Sequence, residues 1–213
     1  VWSKEELDEI LTSEELETFK KIFMVYDRPN FEDDYHLHVT KTNEAYYIEN
    51  IEESNNICSK LLKIREKRIR PGTDKKILVA WNALLIEGMI NAYKASGNEN
   101  YIDSAKSSFN FIKDKMWINN ELYACYHDKE YFKAYLDDHA FLAKACIELL
   151  KIEWDDDNFK FLIQLTDILL NDFQDLDNGG FYFTSRTHEE LIYRPKSYMD
   201  ESLPSGNSIT IDV

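Results

Sequence analysis

Two adjacent carboxylates, Asp137 and Asp138, stand directly before His139 at the start of a long apolar segment. Aspartate at a helix start accepts hydrogen bonds from free backbone N–H groups, so one of the two is expected to cap a helix. Adjacent side chains point in different directions, so the other could enter a cavity as an acid or base, or orient a ligand hydroxyl. His139 could be a base or a structural hydrogen-bonding group. These three are the candidate catalytic residues.

Two arginines and a further aspartate could contact the same ligand. Arg70 and Arg194 each precede proline in extended backbone, where a guanidinium could bind a carboxylate or phosphate, or pair with a nearby acid. Asp200 and Glu201 lie in a long connection and could supply the second carboxylate that glycoside hydrolysis needs. The alternative for Asp200 is a solvated acidic loop.

Three more candidates are expected near the starts of helices. Asn82 and Asn207 are predicted to occupy positions equivalent to that of His139 and to face one ligand. Trp81, next to Asn82, could stack on a sugar ring or fill the core. Together with Arg70, Arg194 and Asp200, these form the predicted substrate-binding set.

Metal and cofactor sites are not expected. His36 and His38 would share one face of a strand, but a third ligand is lacking. The segment Asp175–Gly180 resembles a calcium loop only faintly, and we interpret it as a tight turn. The three cysteines, Cys58, Cys125 and Cys146, are widely spaced and form no zinc pattern.

Composition limits the class of protein. The 213 residues are 44% hydrophobic, which is enough for a sizeable core. The net charge of −15 argues against nucleic-acid binding. No apolar run is long enough to cross a membrane. Cysteines interpreted as reduced thiols fit a cytoplasmic protein.

The elements that position these residues are read from an internal repeat. Two apolar runs carry polar residues at equivalent positions 57 residues apart, since 139−82 and 151−94 both equal 57. The polar positions are Asn82, Glu87, Asn91 and Lys94 in the first run and His139, Lys144, Glu148 and Lys151 in the second. Each copy predicts a buried helix (80–95, 139–152), a short turn and an amphipathic helix (100–116, 159–173). This order indicates an inner and an outer ring of helices.

The remaining segments are predicted from shorter signals. Ser3 and Glu6 form a capping box, and helices are expected over 14–25 and 52–68, with a strand over 36–40. The long connections 117–138 and 174–206 are each expected to hold a hairpin, 123–126 with 131–135 and 181–184 with 191–194. We expect the site at the end of the scaffold where these connections gather and the inner helices begin.

Three segments resemble those of the bacterial YyaL-like and spermatogenesis-associated protein family: REKRIRPGTDKKILVAWN at 65–82, YLDDHAFL at 135–142 and RPKSYMDESLPSGNS at 194–208. The resemblance implies an all-α fold, part of an (α/α)6 toroid of the six-hairpin glycosidase type, with small β-hairpins in the outer-to-inner loops. It also implies a relation to N-acylglucosamine 2-epimerases. Residues 1–213 are then a single domain from which the family's thioredoxin-like domain is absent.

Two functions of different classes follow. The first is binding or processing of a small-molecule carbohydrate, by glycoside hydrolysis or sugar epimerisation, without a cofactor. The second is a non-catalytic helical module that binds a ligand or protein in partnership with a thioredoxin-like domain. A chain too truncated to be active is a third possibility. Half a toroid leaves an apolar flank exposed, through which the chain could form a homodimer.

Overall fold

A computed structural model describes residues 1–23, 28–127, 132–189 and 191–213 of the chain. Most of these residues are helical, and the strands are two residues long, so the predicted all-α class is confirmed. Contacts within the chain divide it into unit 1, Val1–Thr73, and unit 2, Asp74–Val213. Each unit has its own hydrophobic core, and a single domain over 1–213 stays a prediction.

Unit 1 contains short helices packed around Trp2 and Phe19. These helices are α1 (Lys4–Ile10), α2 (Ser13–Phe23), α3 (Glu44–Glu49) and α4 (Ile51–Arg65). The predicted capping box is present, since Ser3 Oγ accepts from the Glu6 N–H at 3.1 Å and Glu6 accepts from the Ser3 N–H at 3.0 Å. The local sequence signal was therefore sufficient for α1.

Two predictions in unit 1 need comment. The helix predicted over 14–25 corresponds to α2, and Val25 lies outside the described residues. The strand predicted over 36–40 is wrong, because these residues form no ladder with the described part of the chain. The Asn30 side chain holds this segment instead, accepting from the His36 N–H at 2.7 Å and donating to its carbonyl at 3.0 Å.

Unit 2 consists of α-hairpins in sequence order, as predicted for part of an (α/α)6 toroid. Its helices are α5 (Val79–Ser96), α6 (Glu99–Lys115), α7 (Leu136–Ile152), α8 (Asp156–Ile168), followed by a π-helical turn (Leu169–Phe173), and α9 (Gly206–Asp212). The repeat extends to the helix starts, since 136−79 and 156−99 both equal 57. The apolar helix α5 packs against α6 and α7, and α7 also packs against α8 and α9. This confirms the inner and outer arrangement.

The starts of the inner helices meet at one end of unit 2. The Ala80 N–H, in the first turn of α5, donates to the carboxylate of Asp138 in α7 at 3.0 Å. A Cβ placed on Gly206, the first residue of α9, would lie 3.2 Å from Leu136 Cγ and 3.3 Å from the Asp137 nitrogen. Glycine therefore permits this close approach, and three helix starts share one region.

The long connections hold short pairings that only partly match the predicted hairpins. The Ala124 N–H donates to the Phe132 carbonyl at 2.8 Å, as the first hairpin requires, but its turn at 128–131 lies outside the described residues. Strand β4 (Cys125–Tyr126) pairs instead with β1 (Ile77–Leu78), while β2 (Trp117–Ile118) pairs with β3 (Glu121–Leu122).

The second hairpin was predicted in the wrong register. Phe181 is bridged to Gln174, and the Phe183 N–H donates to the Pro195 carbonyl at 2.8 Å. The described residues therefore show no ladder between 181–184 and 191–194. The tight turn predicted at Asp175 is confirmed, since its Oδ1 accepts from the backbone N–H groups of Asp177 and Asn178 at 3.0 and 3.2 Å.

Candidate functional site

Asp138 joins the starts of two inner helices. Its Oδ1 accepts from the Ala80 N–H at 3.0 Å and its Oδ2 accepts from the Tyr135 N–H at 2.9 Å. Helix α5 has no side-chain cap of its own, so Asp138 supplies that cap from the neighbouring helix. The residue is 5% exposed, and this burial raises its pKa to about 7, against the effect of the two N–H donors. Of the two adjacent aspartates, Asp138 is the structural cap.

Asp137 faces a different surface. It is half-buried and lines a cavity of about 280 Å³ between the start of α7 and the connection before α9. Burial raises the pKa of Asp137, although the N–H groups of Asp137 and Asp138 act in the opposite direction. We call this the Asp137 cavity; its lining includes Asp137, Phe183, Ser197, Glu201, Ser202 and Leu203.

The Asp137 cavity combines acidic, hydroxyl and apolar groups. The exposed residue Glu201 lines the same cavity as Asp137, and Ser197 and Ser202 line it as well. Phe183 stacks on Tyr135 with ring centroids 4.8 Å apart, which fixes the aromatic wall. A carboxyl group with a raised pKa, together with a second carboxyl-bearing residue, is the combination that glycosidic-bond cleavage uses.

The predicted second carboxylate, Asp200, has a local structural contact. Its Oδ1 accepts from the Ser205 N–H at 2.7 Å and so closes the loop before α9. The sequence neighbour Glu201 reaches the cavity instead. The loop has no regular periodicity, so the sequence carried no signal that distinguished these two acids.

Asn207 is fully engaged within the protein. It is 2% exposed, its Nδ2 donates to the carbonyls of Phe181 and Ser197 at 2.9 and 3.0 Å, and its Oδ1 accepts from the Phe181 N–H at 2.7 Å. These bonds explain its burial without a ligand. Asn207 therefore holds the 174–206 connection in place through these hydrogen bonds and is not among the residues that line the Asp137 cavity.

Arg194 stabilises the same connection. Its Nη2 donates to the carbonyls of Asp172 and Thr184, and its guanidinium lies 4.2 Å from the centroid of the Tyr182 ring. The planar group is thereby held by backbone acceptors and an aromatic face. It is not among the residues that line the Asp137 cavity.

His139 lines a separate cavity of about 350 Å³. It is 4% exposed, its Nδ1 bonds the Tyr135 carbonyl at 2.9 Å, and its ring lies 5.2 Å from that of Phe173. Burial lowers its pKa to about 4, so the imidazole is neutral near pH 7. We call this the His139 cavity; its lining includes Leu122, Lys133, His139, Asp172, Phe173 and His188.

The other predicted binding residues lie outside both cavities. Asn82 donates from Nδ2 to the Leu78 carbonyl at 2.8 Å, and Trp81 is 63% exposed. Arg70 lies in unit 1, where it forms an exposed ion pair with Glu66 at 3.3 Å. For these residues, ligand binding stays a prediction.

The described residues contain neither a metal-ion cluster nor a membrane-spanning helix. They contain no group of three or more His, Cys, Asp or Glu side chains placed to hold a metal ion. None of their helices is both long and apolar enough to cross a membrane.

Comparison with known proteins supports the resemblance read from the sequence. The chain is 27% identical to an uncharacterised protein of Caenorhabditis elegans over 70% of its length, and 27% identical to human spermatogenesis-associated protein 20 over 73%. It spans 21% of the length of each of these relatives. A solved structure of cellobiose 2-epimerase from Bacillus thermoamylovorans is similar over 52% of this chain and 32% of its own, with 14% identity and a TM-score of 0.47. No family model matches the chain.

Proposed function

Taking the similarity to spermatogenesis-associated protein 20 as the premise, we propose that unit 2 is a carbohydrate-binding domain of six-hairpin glycosidase-like fold. Its site is the Asp137 cavity, and its chemistry is glycoside hydrolysis. The observation that carries the proposal is the presence of two carboxyl-bearing residues, Asp137 and Glu201, in one cavity at the starts of the inner helices.

Each part of the cavity has a counterpart in a sugar. The carboxyl and serine hydroxyl groups can bond ring hydroxyls, while the C–H face of the ring can pack on Phe183. Because burial raises the pKa of Asp137, this group is the one suited to protonate a leaving oxygen. Glu201 would then act as the base or nucleophile.

Epimerisation is supported less well by this arrangement. Epimerisation requires a base beside a carbonyl group of the substrate. The candidate base from the sequence, His139, lines the other cavity. No histidine of the described chain lines the Asp137 cavity. The residues considered for the two chemistries, Asp137 and His139, line different cavities.

The test is a titration of unlabelled mono- and disaccharides followed by saturation-transfer NMR, with a panel of nitrophenyl glycosides to detect hydrolysis. We expect Asp137→Asn and Glu201→Gln to lose sugar binding or turnover, and the exposed Asp114→Asn on α6 to behave as wild type. Binding without turnover would favour a non-catalytic module. Failure of every sugar to bind the wild type, or binding unaffected by both cavity variants, would contradict the proposal.

A further inference from the structure

One face of helix α5 is largely apolar and open to solvent. Trp81 is 63% exposed, Leu85 is 53% exposed, and a Cβ placed on Gly88 would meet no atom within 4 Å. Large apolar side chains gathered on an exposed helix face indicate an interaction surface. We call this face the α5 stripe; its residues share one side of the helix and are Trp81, Leu85, Gly88, Met89, Ala92 and Ser96.

The α5 stripe carries no charge. The charged residues of α5 are Glu87 and Lys94, which share a different edge of the helix because 94−87 equals 7, about two turns. Lys94 forms an ion pair with Glu148 of α7 at 2.6 Å, so this charged edge faces α7. A chain with a net charge of −15 repels a second copy over much of its surface. An uncharged face is therefore the place where two copies can meet.

The internal repeat shows what covers the equivalent face of helix α7. Helix α5 lies along that face, because Ala80 bonds Asp138 near the helix starts and Lys94 pairs with Glu148 nearer the ends. These positions of the repeat are therefore helix-contact positions, and their cover is an apolar helix. The equivalent residues follow 57 positions later, since 138−81 and 149−92 both equal 57, and each is no more than 5% exposed; they are Asp138, Leu142, Ala145 and Leu149.

The order of large and small residues makes the α5 stripe complementary to itself. Consider two antiparallel α5 helices related by a twofold axis that passes between Gly88 and Met89. Leu85, three residues before Gly88, then lies opposite Ala92 of the second copy, which is three residues after Met89. In every opposed pair a large side chain faces a small residue, as interdigitating helices require. The pairs are Trp81 with Ser96, Leu85 with Ala92, and Met89 with Gly88.

We propose that the chain forms a homodimer in which the α5 stripes of two copies pack antiparallel about a twofold axis. Gly88 lets the backbones approach closely, and Met89 of the second copy fills the space above it. The Ser96 hydroxyl already donates to the Ala92 carbonyl at 2.7 Å, so its burial under Trp81 of the second copy leaves no unpaired donor. The proposal is independent of the carbohydrate site, because the described lining of the Asp137 cavity includes no residue of α5.

The test is sedimentation velocity of the 213-residue chain over a concentration series. We expect a concentration-dependent species of twice the chain mass of 25.2 kDa. Leu85→Gln removes apolar contact from both halves of the interface and should raise the dimer Kd about tenfold or more. Ile163→Gln is the matched control, because Ile163 is 46% exposed on α8 and lies outside the α5 stripe; its Kd should equal that of the wild type.

Gly88→Gln separates the interface from the fold. Its side chain would extend into open space in the single chain, and glutamine favours helix more than glycine does, so the melting temperature of the monomer should not fall. The same side chain would hold two α5 helices apart, and the dimer Kd should rise about tenfold or more. Wild-type affinity in Gly88→Gln or in Leu85→Gln would overturn the proposal, as would equal weakening by Ile163→Gln.

Disulfide cross-linking tests the antiparallel register, with Cys58→Ser to remove the exposed native thiol. Leu85→Cys combined with Ala92→Cys should join two copies. Leu85→Cys alone should not, because its two copies would lie about 10 Å apart along the helix axes, farther than a disulfide spans. Equal cross-linking by the single variant would overturn the antiparallel arrangement. A wild type that stays monomeric at every concentration would assign the α5 stripe to a different protein and also overturn the proposal.

Discussion

Asp138 provides the sharpest test of the architecture, because its carboxylate bonds two backbone N–H groups at adjacent helix starts. Alanine at this position would leave the N–H groups of Ala80 and Tyr135 without their acceptor. A buried donor that loses its partner costs about 1–3 kcal/mol. Two such losses predict that Asp138→Ala lowers the free energy of unfolding by about 2–6 kcal/mol.

The assay is urea unfolding followed by far-UV circular dichroism, with Asp137→Ala as the matched control. Asp137 is half-buried and its bonds are to N–H groups of its own helix start, so its removal should cost about 1 kcal/mol or less. Asp138→Asn keeps a side chain of the same shape with one acceptor oxygen. It should therefore lower the free energy of unfolding by about half as much as Asp138→Ala.

Near-equality of the two alanine variants would refute this reasoning. If Asp138→Ala unfolds within about 0.5 kcal/mol of Asp137→Ala, the two hydrogen bonds do not hold the helix starts together. Asp138 would then return to the list of candidate catalytic groups. A large loss of stability for Asp138→Ala with sugar binding retained in Asp138→Asn would confirm the structural assignment.

Three further predictions concern titration and backbone geometry. Burial lowers the pKa of His139 from about 6.5 to about 4. The contribution of the neutral ring to the free energy of unfolding should therefore be fully present above pH 6.5 and fall by about 3 kcal/mol toward pH 4. Urea melts of His139→Gln should lack this pH dependence. Hydrogen bonds from Lys151 and Lys94 lower the pKa of Glu148 to about 2. The wild type should therefore lose stability as the pH falls from 4.5 to 2, and acid unfolding of Glu148→Gln should lack this loss. Gly180→Ala should lower the melting temperature more than Gly179→Ala, because φ is positive at both but a Cβ would meet the Tyr198 hydroxyl at 2.9 Å only at Gly180.

The helices of unit 2 could be predicted because their signals are local. Apolar periodicity and the 57-residue repeat placed α5 and α7 to within a few residues, and the structure extends the repeat to the caps of the outer helices. Asn98 caps α6 and Asp155 caps α8, with 155−98 equal to 57. Side chains that cap their own helix leave a pattern in the sequence.

The short strands could not be predicted in the same way. Strand β1 is two residues long and pairs with β4, which lies on the far side of α6 in the sequence. Two residues carry too little alternation to indicate a strand, and nothing local specifies a partner so distant. The hairpin register at Phe183 failed for the same reason, since its partner Pro195 lies beyond the predicted strand.

The division of roles among Asp137, Asp138 and His139 depends on what surrounds α7. Successive side chains on a helix point about 100° apart, so three consecutive polar residues must face three directions. Helix α7 packs against α5, α8 and α9. Asp138 therefore meets the start of α5, Asp137 meets the connection before α9, and His139 meets the ring of Phe173 after α8. The sequence places the three groups together, but the packing puts Asp137 and His139 in the linings of two different cavities.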